Sequence, residues 1–117
     1  MTLTLRPLTA SERALLDKLV ETSFPGSNEI KAQLQSIKVR TIDDDGSLEL
    51  VSTSGPAAKV TGRVPVEGEL LDRDGVGVHV LLHVVGGRIT ELEVYKEDGS
   101  EVLNPLDHER MIVTIRS

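Results

Sequence analysis

The sequence predicts an α+β fold: two N-terminal helices packed on one face of a curved, mostly antiparallel meander sheet of about six or seven strands. Three observations carry that expectation. Apolar residues recur at helical spacing as far as residue 37. From Lys38 the period becomes two. Turn dipeptides then punctuate the alternating part at Asp45-Gly46, Asp74-Gly75, Gly86-Gly87 and Asp98-Gly99. The chain has 117 residues. A chain of that length buries about two-thirds of its unfolded surface in one core, so residues 1–117 are read as one domain.

The first helix starts at a capping box. Thr9 and Glu12 have Thr-x-x-Glu spacing ahead of an apolar run, and Leu15, Leu16, Leu19 and Val20 share one stripe. It should stop near Thr22, because Phe24-Pro25-Gly26 follows and the residue before a proline avoids the helical region. Ser27 is the expected cap of a second, shorter helix over about 28–37, with Ile30, Leu34 and Ile37 on its buried stripe.

Strands are expected over 38–43, 47–53, 58–71, 76–85, 88–96, 100–104 and 110–116. Gly62 and Gly68 are read as bends in the long third strand. A slip of one residue would invert every face, so the turns determine the register. A three-residue loop Arg73-Asp74-Gly75 pairs Leu70 with Val78, Val66 with Leu82 and Val64 with Val84, with Gly75 in the left-handed position. The same loop at Val85-Gly86-Gly87 pairs Val80 with Leu92 and Val78 with Val94. At Glu97-Asp98-Gly99 it pairs Val94 with Val102, and at Asp44-Asp45-Gly46 it pairs Ile42 with Leu48. The even-numbered face of residues 64–94 is then the core, covered by the helices. The apolar strand 110–116 should be paired, inside the sheet or across a homodimer, since an open apolar edge invites aggregation.

The same registers put Glu67, Glu69, His79, Leu81, His83, Glu91, Glu93 and Tyr95 on the opposite face, with Val85 and Ile89. Glu69, His79 and Glu93 are expected in one row. Glu67, Leu81 and Glu91 form the next, and Pro65, His83 and Ile89 the third. These eight residues are the candidate interaction face. Its plainest interpretation is a solvated sheet with favourable Glu–His cross-strand pairs. An acidic, partly aliphatic binding surface is the sharper one. A metal site is a third, and there only His79 with Glu69 and Glu93 is geometrically sensible. His79 and His83 are four residues apart on a strand, roughly 13 Å.

Other chemistry is sparse. The chain has no Cys, which removes disulfides, thiolate nucleophiles and Cys-ligated metals. Asp43-Asp44-Asp45-Gly46 and Asp72-Arg73-Asp74-Gly75 lack the later ligands of an EF-hand and read as turns. There is no Gly-x-Ser-x-Gly elbow, no phosphate-binding fingerprint, and His108 lies in a polar connection. No cofactor or catalytic residue is expected, and the chain reads as a non-enzyme rather than an enzyme. The net charge of -6, one Tyr, one Phe and no Trp weigh against nucleic acid and anionic lipid as partners. A basic protein partner fits that charge. Neither a signal-peptide core nor a membrane span is seen, so a cytoplasmic location is expected.

Arg6-Pro7-Leu8-Thr9 before a helix, Asp72-Arg73-Asp74-Gly75-Val76 and Glu91-Leu92-Glu93-Val94-Tyr95-Lys96 together resemble a family of short, uncharacterised bacterial α+β domains. The resemblance covers most of the chain and brings no catalytic residues with it. By analogy of size and charge alone, some short bacterial α+β proteins are toxin-neutralising immunity proteins. The leading reading is a non-enzymatic interaction module using the acidic face. The alternatives are a small enzyme or metal-dependent protein centred on His79, or a small-ligand binder.

Overall fold

The computed structural model describes residues 4–59 and 62–115, the side chains of Gly62 and Arg63 excepted. Val60 and Thr61, within the expected strand 58–71, and Arg116, at the end of the expected strand 110–116, lie outside the described residues. The chain runs α1 (Ala10–Glu21), α2 (Ser27–Leu34), β1 (Ile37–Thr41), β2 (Leu48–Ser52), β3 (Gly62–Leu71), β4 (Gly77–Val85), β5 (Arg88–Lys96) and β6 (Ile112–Ile115). The six strands form one open antiparallel sheet in the order β1-β2-β5-β4-β3-β6. The fold is the expected α+β. Strands β3, β4 and β5 are a meander. The β1–β2 hairpin adds beside β5, and β6 returns to pair with β3 inside the chain.

Helix α1 begins as its capping box requires. The Thr9 hydroxyl accepts the Glu12 N–H at 3.2 Å, and the Thr9 N–H donates to Glu12 Oε1 at 2.9 Å. Arg6 grips the same carboxylate with two N–H groups at 2.8 and 2.9 Å, which holds Glu12 below the usual carboxylate range against its partial burial. Arg6 also exchanges two backbone hydrogen bonds with Val39, which covers part of the free edge of β1.

Helix α2 is capped differently from expectation. Gly26, at φ 92°, is the N-cap, and Ser27 is the first helical residue, its hydroxyl accepting the Phe24 N–H at 3.3 Å. The left-handed turn after Pro25 needs the glycine, so the cap moves back one residue. Ile37 opens β1 instead of closing α2. Gln33, fully buried, ties the helix to the sheet. Its Nε2 donates to the Pro56 and Gly87 carbonyls, each at 2.8 Å, and its Oε1 accepts the Ile89 N–H at 2.9 Å. All of that amide's strong partners are satisfied in the core.

The core face is the even-numbered one. Val64, Val66, Leu70, Val78, Val80, Leu82, Val84, Leu92 and Val94 are buried with Leu15, Leu16, Leu19, Val20, Ile30 and Leu34 of the helices. The turns agree less uniformly. Arg73-Asp74-Gly75 is the expected three-residue loop: Leu70 faces Val78, Asp72 N–H donates to the Val76 carbonyl, and Gly75 has φ 83°. Further along β3 the register shifts between Arg63 and Glu67, so Val84 faces Gly62 rather than Val64. Pro65 lies in that stretch and has no N–H for the ladder.

The expected loops at Gly86-Gly87 and between β1 and β2 are corrected, and Glu97-Asp98-Gly99 leads into no strand, so Val94 does not pair with Val102. Gly86-Gly87 is a two-residue turn with Val85 facing Arg88, followed by a bulge at Thr90, so Val80 faces Val94 and Leu82 faces Leu92. Both glycines have positive φ, as the tight turn demands, and the extra residue restores the parity the turn breaks. The loop between β1 and β2 holds six residues, Ile42 to Ser47, closed by the Ile42 N–H donating to the Ser47 carbonyl, and Thr41 faces Leu48. Asp43 Oδ1 accepts the N–H groups of Asp45 and Ser47 and so widens it. Ile42 is consequently exposed rather than paired with Leu48.

Residues 100–104 form no strand. Carboxylates take the place of a neighbouring strand. The Val102 N–H donates to Asp45 at 3.0 Å, and the Leu103 and Asn104 N–H groups donate to Asp72 at 2.7 and 3.1 Å.

Candidate functional site on the open sheet face

Both helices bury their apolar stripes in the core cluster, which leaves the odd-numbered face of the sheet for side chains alone. The eight expected residues do share that face, but the two-residue offset at the β4–β5 turn changes their rows. Glu69, His79 and Tyr95 are directly opposite one another. Glu67, Leu81 and Glu93 form the second row, and Arg63, His83 and Glu91 the third. The third row continues to Glu49 on β2. Ile89 leaves the face: the bulge at Thr90 turns it into the core, where it is buried. Leu81 stays on the face yet is buried between its two glutamates, so it offers no apolar surface. The exposed apolar parts are Tyr95 together with Leu71 and Ile112, beside Glu69, and Val85 at the β4–β5 turn. A cleft of about 410 Å³ lies at that end, lined by Glu69, Leu70, Leu71, Arg110 and Ile112.

His79 and Glu67 are the most enclosed polar groups here, with 13% and 11% of their side chains exposed. The surroundings of the imidazole are the more informative. Its Nε2 lies 2.7 Å from Glu97 Oε1, and its ring stacks on Tyr95 at 5.0 Å between centroids and 17° between planes. Nδ1 is buried without a hydrogen-bond partner, and the nearest carboxylate oxygen, Glu67 Oε1, is 3.7 Å away. Glu93, expected beside His79, pairs with His83 Nε2 at 2.7 Å. Glu97 was not among the expected site residues. It follows β5 and folds back across Gly77, to which its N–H donates at 2.9 Å. A side chain at position 77 would collide with it, since a Cβ there lies 2.6 Å from Glu97 Oε1. The glycine between Val76 and Val78 is the signal in the sequence that a neighbour comes close.

The expectation also missed a charged cluster at the same end of the sheet, on the core side. Lys96 has 1% of its side chain exposed, and its Nζ lies 2.6 Å from Asp74 and 3.0 Å from Asp72. Burial opposes the ammonium charge, but the hydrogen bonds to Asp74 and Asp72 outweigh it and raise its pKa. Asp72 is held far below the usual carboxylate range, first by the Leu103 N–H, against burial, and then by Lys96 and further backbone N–H groups. Even numbering puts Asp72 and Lys96 on the core side, and that parity was the available clue. The cluster is saturated with internal partners and serves as a clamp.

A sequence family described as Domain of unknown function (DUF6984) matches residues 5–105. The chain belongs to that family. The match takes in α1 to β5, including every residue of the open face on β3, β4 and β5, and stops short of β6. No curated protein and no solved structure matches the chain. Among the described residues no helix is long and apolar enough to cross a membrane.

Proposed function

We propose that this DUF6984 chain is a non-enzymatic protein-interaction module of the bacterial cytoplasm that binds a basic protein through its open sheet face. One observation carries the reading. The helices occupy the core side, and the other side carries Glu67, Glu69, Glu91, Glu93 and Glu97 with an exposed Tyr95, while Glu49 at its margin is paired with Arg40. A surface with one dominant sign of charge speeds encounter with the opposite sign, and an aromatic anchor adds contact area. Neutralising a toxin is one form such a module takes.

The test is co-purification from the native host with the wild-type chain and with Glu91→Lys/Glu93→Lys. These positions avoid His79 and its neighbours. The wild type should retain a basic partner that is released by raising salt from about 0.1 M to about 0.5 M, where the screening length falls well below 10 Å. The charge-reversed chain should lose it. Retention of nothing by the wild type, or equal retention by both chains, would sink the reading.

A further inference from the structure

Three metal-ligating side chains meet at the end of the open face from three different parts of the chain: Glu69 on β3, His79 on β4 and Glu97 after β5. One ligand atom from each lies within 4.8 Å of the other two. Their arrangement is supported from outside the trio. Gly77 leaves the space that the Glu97 carboxylate fills, and Tyr95 stacks on the imidazole and holds its plane.

The decisive atom is His79 Nδ1. It is fully buried, lacks a hydrogen-bond partner, and faces Glu67 Oε1 at 3.7 Å. A neutral ring whose Nε2–H donates to Glu97 turns an Nδ1 lone pair toward that carboxylate, an unfavourable contact. A cation on Nε2 reverses the arrangement. The ring proton then sits on Nδ1 and points at Glu67. This is the carboxylate–histidine–metal relay that orients a ligating imidazole and strengthens its donation.

We propose that Glu69, His79 and Glu97 bind one divalent cation of the zinc class through His79 Nε2, with Glu67 as a positioning residue. This goes beyond partner binding and does not depend on it. The imidazole selects against magnesium and calcium, which take oxygen ligands. Bonds of about 2.0–2.2 Å place tetrahedral ligand atoms roughly 3.4 Å apart, so Glu97 Oε1 must draw back from His79 Nε2, now 2.7 Å away, while the wider separations in the trio, up to 4.8 Å, close. Glu97, half exposed, has the freedom to do so. One coordination position remains for water. His83, about 13 Å along the same strand, takes no part.

The experiment is calorimetric titration of the untagged protein with zinc chloride near pH 7, with nitrogen chemical shifts of the histidine rings read alongside. One ion per chain should bind, and the His79 Nε2 resonance should move more than that of Nδ1. His79→Asn should abolish binding. Glu69→Gln and Glu97→Gln should each weaken it at least about tenfold, and Glu67→Gln about tenfold or more. His83→Asn should bind as the wild type does. If His79→Asn does not fold by circular dichroism, the doubly substituted Glu69→Gln/Glu97→Gln chain decides in its place. The proposal is overturned by no saturable binding to the wild type, by undiminished binding in the substituted chains, or by an equal loss in His83→Asn.

Discussion

Asp72 shows how much one side chain organises. Its carboxylate meets Lys96 and accepts the N–H groups of Arg73, Leu103 and Asn104. It thereby holds the 100–104 segment without a strand and makes a buried ammonium tolerable. The linkage follows from the direction of its pKa shift. An Asp titrates near 3.9 when unfolded, and this one is depressed when folded. Its contribution to stability is complete above about pH 5 and is lost as pH falls through 3.9 toward the folded value. Urea unfolding of Asp72→Asn should therefore show a lower midpoint at pH 7 and a flatter decline from pH 5 to pH 3 than the wild type. Asp74, which is partly exposed, should show a smaller effect when replaced by Asn. Parallel acid limbs for Asp72→Asn and the wild type would remove Asp72 from this role.

Among the elements, the third strand depends on a missing side chain. Gly68 lies on the core side of β3, and a Cβ there would overlap Met111 Sδ and approach Leu19 Cδ2 to 3.2 Å. Expected as a bend, this glycine admits the buried Met111 ahead of β6 and the close approach of α1. Gly68→Ala should cost about 1–2 kcal/mol by overpacking, and Met111→Ala about 2–4 kcal/mol by leaving a cavity. The double substitution should cost less than the sum, because the added methyl enters the vacated space. Additive losses in denaturant unfolding would show that the two do not compete for one volume. The edges differ too. Arg6 bridges β1, whereas β6 carries Ile112 and Ile115 well exposed on the outermost strand.

Across the whole molecule, stability should follow the order of the sheet. Strands β4 and β5 have partners on both sides and supply Val78, Val80, Leu82, Val84, Ile89, Leu92 and Val94 to the core, while β1 and β6 lie outermost. Amide exchange by local opening scales with how much packing must be disrupted. The amides of β4 and β5 should exchange slowest, with protection approaching the global unfolding free energy, and those of β6 should exchange fastest among the strands. Equal protection in β6 and β4 would contradict an edge position for β6.

The sequence by itself determined the parts whose signals are local. The Thr9–Glu12 capping box, the apolar stripe of α1, the Arg73-Asp74-Gly75 loop and the division of β3, β4 and β5 into an even core face and an odd open face are all written within a few residues. Ile89, between the turn and the bulge, did not keep its expected face, but past the Thr90 bulge parity survived although the register was two residues out, since a shift of two leaves each side chain on its face. That is why the eight candidate residues share one surface although Glu93 does not adjoin His79. Only the tertiary structure decided the rest. The Thr90 bulge depends on how the Gly86-Gly87 turn meets the sheet twist, and the 100–104 segment on carboxylates far away in sequence, Asp45 and Asp72. The Glu97–His79 contact depends on a glycine on another strand. Local propensity carries no information about such partners, because each is selected by which group is left unsatisfied once the layers have packed.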